Sequence, residues 1–172
     1  MARRKKTDPE IVQLPDRKVA TVTTVGEPGP QMERVMPALF GAAYGLKFAR
    51  KKADPEADFK VEAVRARWPD AQEKPKDRWT AHWAIPVPED AEVLPQKVPD
   101  IAVNLATWQY GEVAQILHIG PYSEEGPTVQ HLHEFIAESG YEIAGPHEEE
   151  YLTKPDAREV RTIIRYQVRR RE

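Results

Sequence analysis

The run from His118 to Val168 decides the fold. It opens with HIGPY (His118–Tyr122), passes through GPTVQHLHEFIAESGY (Gly126–Tyr141) and HEEEYL (His147–Leu152), and closes with TIIRYQV (Thr162–Val168). The first segment reads as a strand broken by a Gly-Pro turn. Val129, Leu132, Phe135 and Ile136 then recur at helical spacing, and Gly140 is a good helix stop, so an amphipathic helix is predicted. Two strands follow. Glu149 and Tyr151 stand two apart in the first of them, so both side chains leave the same face. A carboxylate beside a phenol on a sheet face is a floor for a small-molecule site.

The first half of the chain repeats this pattern. VATVTTVG (Val19–Gly26) aligns with VAQILHIG (Val113–Gly120), and WAIPV (Trp83–Val87) aligns with IRYQV (Ile164–Val168). RKVATVTTV (Arg17–Val25) is rich in β-branched residues and reads as a strand. A helix is predicted over roughly Gln31 to Lys52, with Pro30 near its first turn. Met32, Val35, Met36, Leu39, Phe40, Ala43 and Tyr44 form its apolar stripe. Pro37 predicts a kink or a later start, and Gly41 and Gly45 would admit a sheet close to the helix. FKVEAVRARW (Phe59–Trp68) alternates as a half-buried strand, and Arg78–Val87 reads as another. The proline-bearing connector that follows is expected to hold a short helix near Val98–Leu105.

The predicted fold class is therefore α+β, built of duplicated strand–helix–strand–strand units with a central ligand cleft between the halves. Residues 1–15, with Arg3, Arg4, Lys5 and Lys6, are expected to be a flexible basic arm. Residues 16–172 are expected to form one domain of two pseudo-repeats, about 16–95 and 105–168.

Composition narrows the function. The 172 residues are 40% hydrophobic and 31% charged with a net charge of −3, the profile of a globular chain with a real core. The charge gives no global case for nucleic acid, and the basic ends (Arg169–Arg171 at the other terminus) read as solubilising. Cysteine is absent, which removes disulfides, thiolate nucleophiles and thiolate metal sites. No run reaches the roughly 18 apolar residues of a membrane span. MARRKKTDPE lacks the apolar stretch of a signal peptide, so a cytoplasmic protein is expected. His131 and His133 lie two apart and cannot chelate from one helix face. His118 could meet His147, but no metal and no other cofactor is expected.

The run HIGPY…EGPTVQHLHEFIAESGYEIAGP…EEEYLTKPDAREVRTIIRYQV resembles the GyrI-like (gyrase-inhibitor-like) small-molecule-binding family. That family also supplies effector-binding domains of AraC-type and multidrug-sensing regulators. The first half, including AYGLKF (Ala43–Phe48), is similar to the stand-alone branch, some of whose members resemble cyclopropanoid hydrolases. The resemblance implies the duplicated unit, a hydrophobic or aromatic small molecule as ligand, and Glu149 as the central pocket carboxylate with Tyr151 beside it. Tyr122, in the G-P-Y turn, matches a family aromatic. Two departures stand out. Glu150 replaces a usually apolar residue, so a slip of one position would aim Glu148 or Glu150 inward instead. The acid that commonly precedes the aromatic matched to Trp68 is missing, the nearest being Glu62.

On this reading Glu149 and Tyr151 are the candidate catalytic residues. Glu149 would deprotonate a water and Tyr151 or Tyr122 would donate to a developing phenolate. Tyr122, Trp83, Trp68, Tyr44 and His118 are the candidate ligand-binding residues. The bland alternative pairs Glu149 with Arg161 or Arg165 on a neighbouring strand. The functional alternative is a non-catalytic module that sequesters drug-like compounds or modulates a protein partner.

Overall fold

The computed structural model describes residue 3 and residues 5–172; Met1, Ala2 and Arg4 of the predicted arm lie outside the described residues. In chain order the strands are β1 (Glu10–Leu14), β2 (Arg17–Val25), β3 (Arg65–Trp68), β4 (Thr80–Pro86), β5 (Asn104–Trp108), β6 (Gly111–Ile119), β7 (Tyr141–Ile143), β8 (His147–Tyr151) and β9 (Arg161–Arg170). The helices are α1 (Pro28–Ala53) and α2 (Glu125–Glu138). The chain divides into two units. One takes the residues up to Pro15 together with Tyr110–Glu172, and the other is Asp16–Gln109.

The Asp16–Gln109 unit is an antiparallel sheet in the order β3-β4-β2-β5 with α1 packed on it. α1 runs through Pro37 without interruption. The carbonyl that Pro37 leaves without an amide partner belongs to Glu33, and both residues are exposed, so water can satisfy it. Arg50, Lys51 and Lys52 in the last turn oppose the negative end of the helix dipole. Val35, Ala38, Leu39, Ala42, Ala43 and Leu46 form the buried stripe. A Cβ at Gly41 would stand 2.9 Å from the Lys97 side chain, and one at Gly45 3.1 Å from Pro95. The two glycines thus admit the connector after β4, and not a sheet. β3 is only four residues long, and no helix forms near Val98–Leu105, where Asn104 already begins β5.

In the other unit the order is β1-β6-β9-β8, all antiparallel, with β7 also paired to β9. β1 corrects the expected arm: Val12 pairs with Val113 and Leu14 with Gly111, so the residues from Glu10 onward are sheet. Ala114 stands opposite Tyr166 and Ile116 opposite Ile164, and this face of β6 and β9 packs under Leu132 and Ile136 of α2. Val129 and Phe135 pack at its edge. Each fully buried aliphatic side chain contributes about 1.5–3 kcal/mol. Gly140, at φ +81°, ends the helical segment.

The duplication extends to the backbone. Gly26 ends β2 at φ +141° and Gly120 ends β6 at φ +135°, a region that favours glycine. The Gly26 amide donates to the Trp79 carbonyl at 3.0 Å, and the Gly120 amide to the Val160 carbonyl at 2.8 Å. In both repeats the strand turns into its helix on the same device, held by the segment that leads into the last strand. Among the described residues no helix is long and apolar enough to cross a membrane.

Candidate functional site

Strand alternation sorts the acidic run on β8. Glu148 lies opposite Arg165 on β9, and Arg165 donates to Glu148 at 2.7 Å and to Glu150 at 3.0 Å. The Tyr110 hydroxyl donates to the same Glu148 oxygen at 2.9 Å. Glu148 is only 2% exposed, and this network supplies the charge and hydrogen-bond partners that a buried carboxylate needs. Arg161 is taken by Glu159. The pairing of Glu149 with either arginine is therefore not what forms.

Glu149 points the other way, with His147 and Tyr151 on its face of the strand. His147 Nε2 lies 2.6 Å from the Glu149 carboxylate, and His147 Nδ1 lies 2.6 Å from the Tyr166 hydroxyl. Glu149 is 8% exposed, and the Tyr151 hydroxyl is hydrogen-bonded to it. Burial, reinforced by the Glu149 charge, pushes the Tyr151 hydroxyl well above the usual phenol range. Tyr166 is shifted up for the same two reasons. Its ring sits between His133, at 5.0 Å, and His147, at 5.2 Å. His133 is shifted down, first by burial and then by His147.

The remaining groups come from the G-P-Y turn and the start of α2. Pro121 leads into a single turn of 3-10 helix over Tyr122–Glu124 and then into Glu125. The Tyr122 ring meets the Tyr151 ring edge-on at 5.7 Å. Glu125 hydrogen-bonds to Glu149, and its carboxyl is pushed up to about 9, first by burial and then by the Glu149 charge. At neutral pH Glu125 is thus protonated and can donate to Glu149. The Tyr122 hydroxyl is shifted up by burial and then by Glu149. It is buried with no hydrogen-bond partner, as is Oε1 of Glu125. Donor atoms of Glu125, His147 and Glu149 all lie within 4.8 Å of one another.

Of the predicted residues, Glu149, Tyr151 and Tyr122 come together. His118 does something else: its ring nitrogens lie 2.7 Å from the Thr128 hydroxyl and 3.0 Å from the Pro121 carbonyl, so it braces the turn against α2. Trp83 is a core residue of the other unit, 0% exposed, with its indole N–H donating to Thr24 at 2.9 Å. Trp68 packs edge-on against it at 5.7 Å and is also buried. Neither is an accessible wall. Tyr44 is 41% exposed on α1, between Phe40 and Phe48 in an aromatic ladder with ring spacings of 6.2 and 6.0 Å. It lines a groove of about 480 Å³ with Lys47, Asp58, Phe59, Lys60 and Val61.

Glu125 and Tyr166 escaped the sequence reading, which considered His147 only as a possible partner of His118. His147 carried a usable signal, since it alternates with Glu149 and Tyr151. Glu125 carried none, because only the tertiary fold brings the start of α2 over β8.

The GyrI-like small molecule binding domain matches residues 7–169. The chain belongs to the GyrI-like family. GyrI-like domains bind small molecules, and the fold of this GyrI-like chain recurs among solved structures. An uncharacterised conserved protein from Listeria innocua is 26% identical, with a TM-score of 0.81 over 95% of this chain and 93% of that one. A hydrolase from Listeria innocua is 25% identical, with a TM-score of 0.79 over 96% and 94%. The EcmrR C-terminal domain, 15% identical with a TM-score of 0.63 over 95% and 98%, shares the fold alone. A comparison with curated proteins gives no match.

Proposed function

We propose that this GyrI-like protein captures and hydrolyses a hydrophobic, aromatic electrophile of the cyclopropanoid type, with Glu149 as the base that activates water. The observation that carries the reading is the division of labour on β8. Glu148 and Glu150 are spent on Arg165, whereas Glu149 faces phenols and an imidazole. The likeness to a hydrolase from Listeria innocua supports it.

In a cyclopropane fused to a dienone, the water oxygen forms a bond to a ring carbon as its proton passes to Glu149. The strained C–C bond breaks, and its electron pair moves through the ring to the carbonyl oxygen as the ring aromatises. A phenol that donates to that oxygen stabilises the developing phenolate. Tyr122 suits this task better than Tyr151, because the Tyr151 hydroxyl is already bonded to Glu149 while that of Tyr122 has no partner. The phenolate then takes up a proton, and the net reaction is addition of one water. General-base assistance of this kind is worth about 10²–10⁴ in rate.

One observation favours a second reading, binding without turnover. The acid that the stand-alone branch commonly carries before the aromatic matched to Trp68 is absent, and Glu62, the nearest, is paired with Arg17. Incubation with a cyclopropanoid dienone, followed by mass spectrometry, separates the two. A product heavier by one water in catalytic excess over protein supports hydrolysis. Saturable binding with unchanged ligand supports capture alone.

A further inference from the structure

Two carboxylates in contact beside an imidazole form a donor set. We propose that Glu125, His147 and Glu149 hold a divalent first-row transition ion, for which Zn²⁺ is the convenient probe. Each residue offers one ligand atom, and the three atoms lie within 4.8 Å of one another, close enough to share one ion. The set is not a surface accumulation of acids: Glu149 is buried, and the three donors are delivered by β8 and by the first residue of α2.

The donor chemistry sets the class of ion. One imidazole nitrogen with two carboxylate oxygens suits zinc or manganese, whereas magnesium and calcium prefer all-oxygen surroundings. The second sphere is also in place. The Tyr166 hydroxyl at 2.6 Å from His147 Nδ1 fixes the ring with Nε2 turned to Glu149, the role that outer-shell partners play at metal-bound histidines.

Two further polar atoms support the site. Glu125 Oε1 and the Tyr122 hydroxyl are buried without a hydrogen-bond partner, a condition that native structures rarely leave uncompensated. An ion would engage the first. A water on the ion, in the coordination position that three protein ligands leave open, would accept from the second.

Ion and proton compete for these carboxylates: the ion would displace the proton on Glu125, and Glu149 serves as base in the metal-free chain. This inference therefore does not rest on the hydrolytic reading, and occupancy is measured without substrate. The full chain, stripped with chelator, is dialysed against Zn²⁺ or Mg²⁺, and bound metal is measured by mass spectrometry after removal of excess. The expected result is one zinc per chain, retention of zinc but not magnesium, and a higher melting temperature with zinc. Glu125→Gln and Glu149→Gln, with folding checked by circular dichroism, should lose both the zinc and the shift in melting temperature. His131→Gln, an exposed control on α2, should keep them. Zinc retained equally by the two glutamine variants, or no zinc retained by the native chain, would overturn the proposal.

Discussion

His147 and Glu149 leave β8 on one face and meet at 2.6 Å, while Glu148 between them turns to Arg165 at 2.7 Å on the other. One strand thus carries a structural ion pair and the proposed site back to back. The two functions can be separated by substitution.

Arg165→Ala tests the structural face. It removes from the buried Glu148 carboxylate the guanidinium that donates to it at 2.7 Å. The expected cost is about 3–5 kcal/mol of unfolding free energy, measured by urea denaturation. Replacing Arg165 and Glu148 together by Met and Leu should recover much of that loss. If the double variant is no more stable than Arg165→Ala, the network owes its contribution to something other than pairing a buried charge.

Tyr122→Phe tests the division between the two phenols. Its hydroxyl has no partner, so removing it should leave the melting temperature nearly unchanged. Ring opening, however, should slow by about 10²–10³, the usual effect of losing one donor to a developing oxyanion. Tyr151→Phe removes a hydroxyl bonded to Glu149 and should lower stability by about 1 kcal/mol. A Tyr122→Phe variant with native turnover would remove Tyr122 from the mechanism.

Gly26→Ala and Gly120→Ala test the duplicated turn. Both positions have φ near +140°, where a side chain is strained, and a Cβ at Gly26 would also press on Gln31 at 2.8 Å. Each substitution should destabilise by about 1–3 kcal/mol. Gly29→Ala, where a Cβ meets nothing within 4 Å, is the control and should be nearly silent.

Asp70 gives a pH signature away from the site. It accepts from the Thr80 amide at 2.8 Å and from the Thr80 hydroxyl at 2.7 Å, and these bonds hold its carboxyl down at about 2. A carboxyl lowered on folding stabilises fully above its unfolded value of 3.8, and that contribution disappears as pH falls through about 2. The melting-temperature gap between native protein and Asp70→Asn should therefore be constant from neutral pH down to the unfolded value and close below it. A gap that persists at the acid end would mean that the interaction does not depend on the carboxylate charge.

The fold was legible because periodicity and duplication are both local signals. The stripe Val129, Leu132, Phe135 and Ile136 located α2, and the aligned strands ending in Gly26 and Gly120 exposed the repeat. Errors fell where local pattern was overridden. Glu10–Leu14 looked like an arm because its polar flanks hide a strand that needs β6 beside it. The alternation over Phe59–Trp68 promised a longer strand than the four residues that pair.

At the site, strand parity was readable and partner choice was not. Glu149 and Tyr151 could be placed on one face from their spacing alone. Nothing local says that Arg165 would claim both flanking glutamates, or that Glu125 would arrive from α2. The tryptophans misled for a related reason: Trp68 and Trp83 are large and apolar, and the core of their unit needed them more than an open wall did.

The most direct test of Glu149 as the base is single-turnover ring opening of a cyclopropanoid dienone in isotopically labelled water, with Glu149→Gln run beside Glu150→Gln. The account predicts labelled adduct from the native chain, a fall of about 10²–10⁴ in rate for Glu149→Gln, and little change for Glu150→Gln, whose carboxylate faces Arg165. Equal rates for the native chain and Glu149→Gln would contradict it.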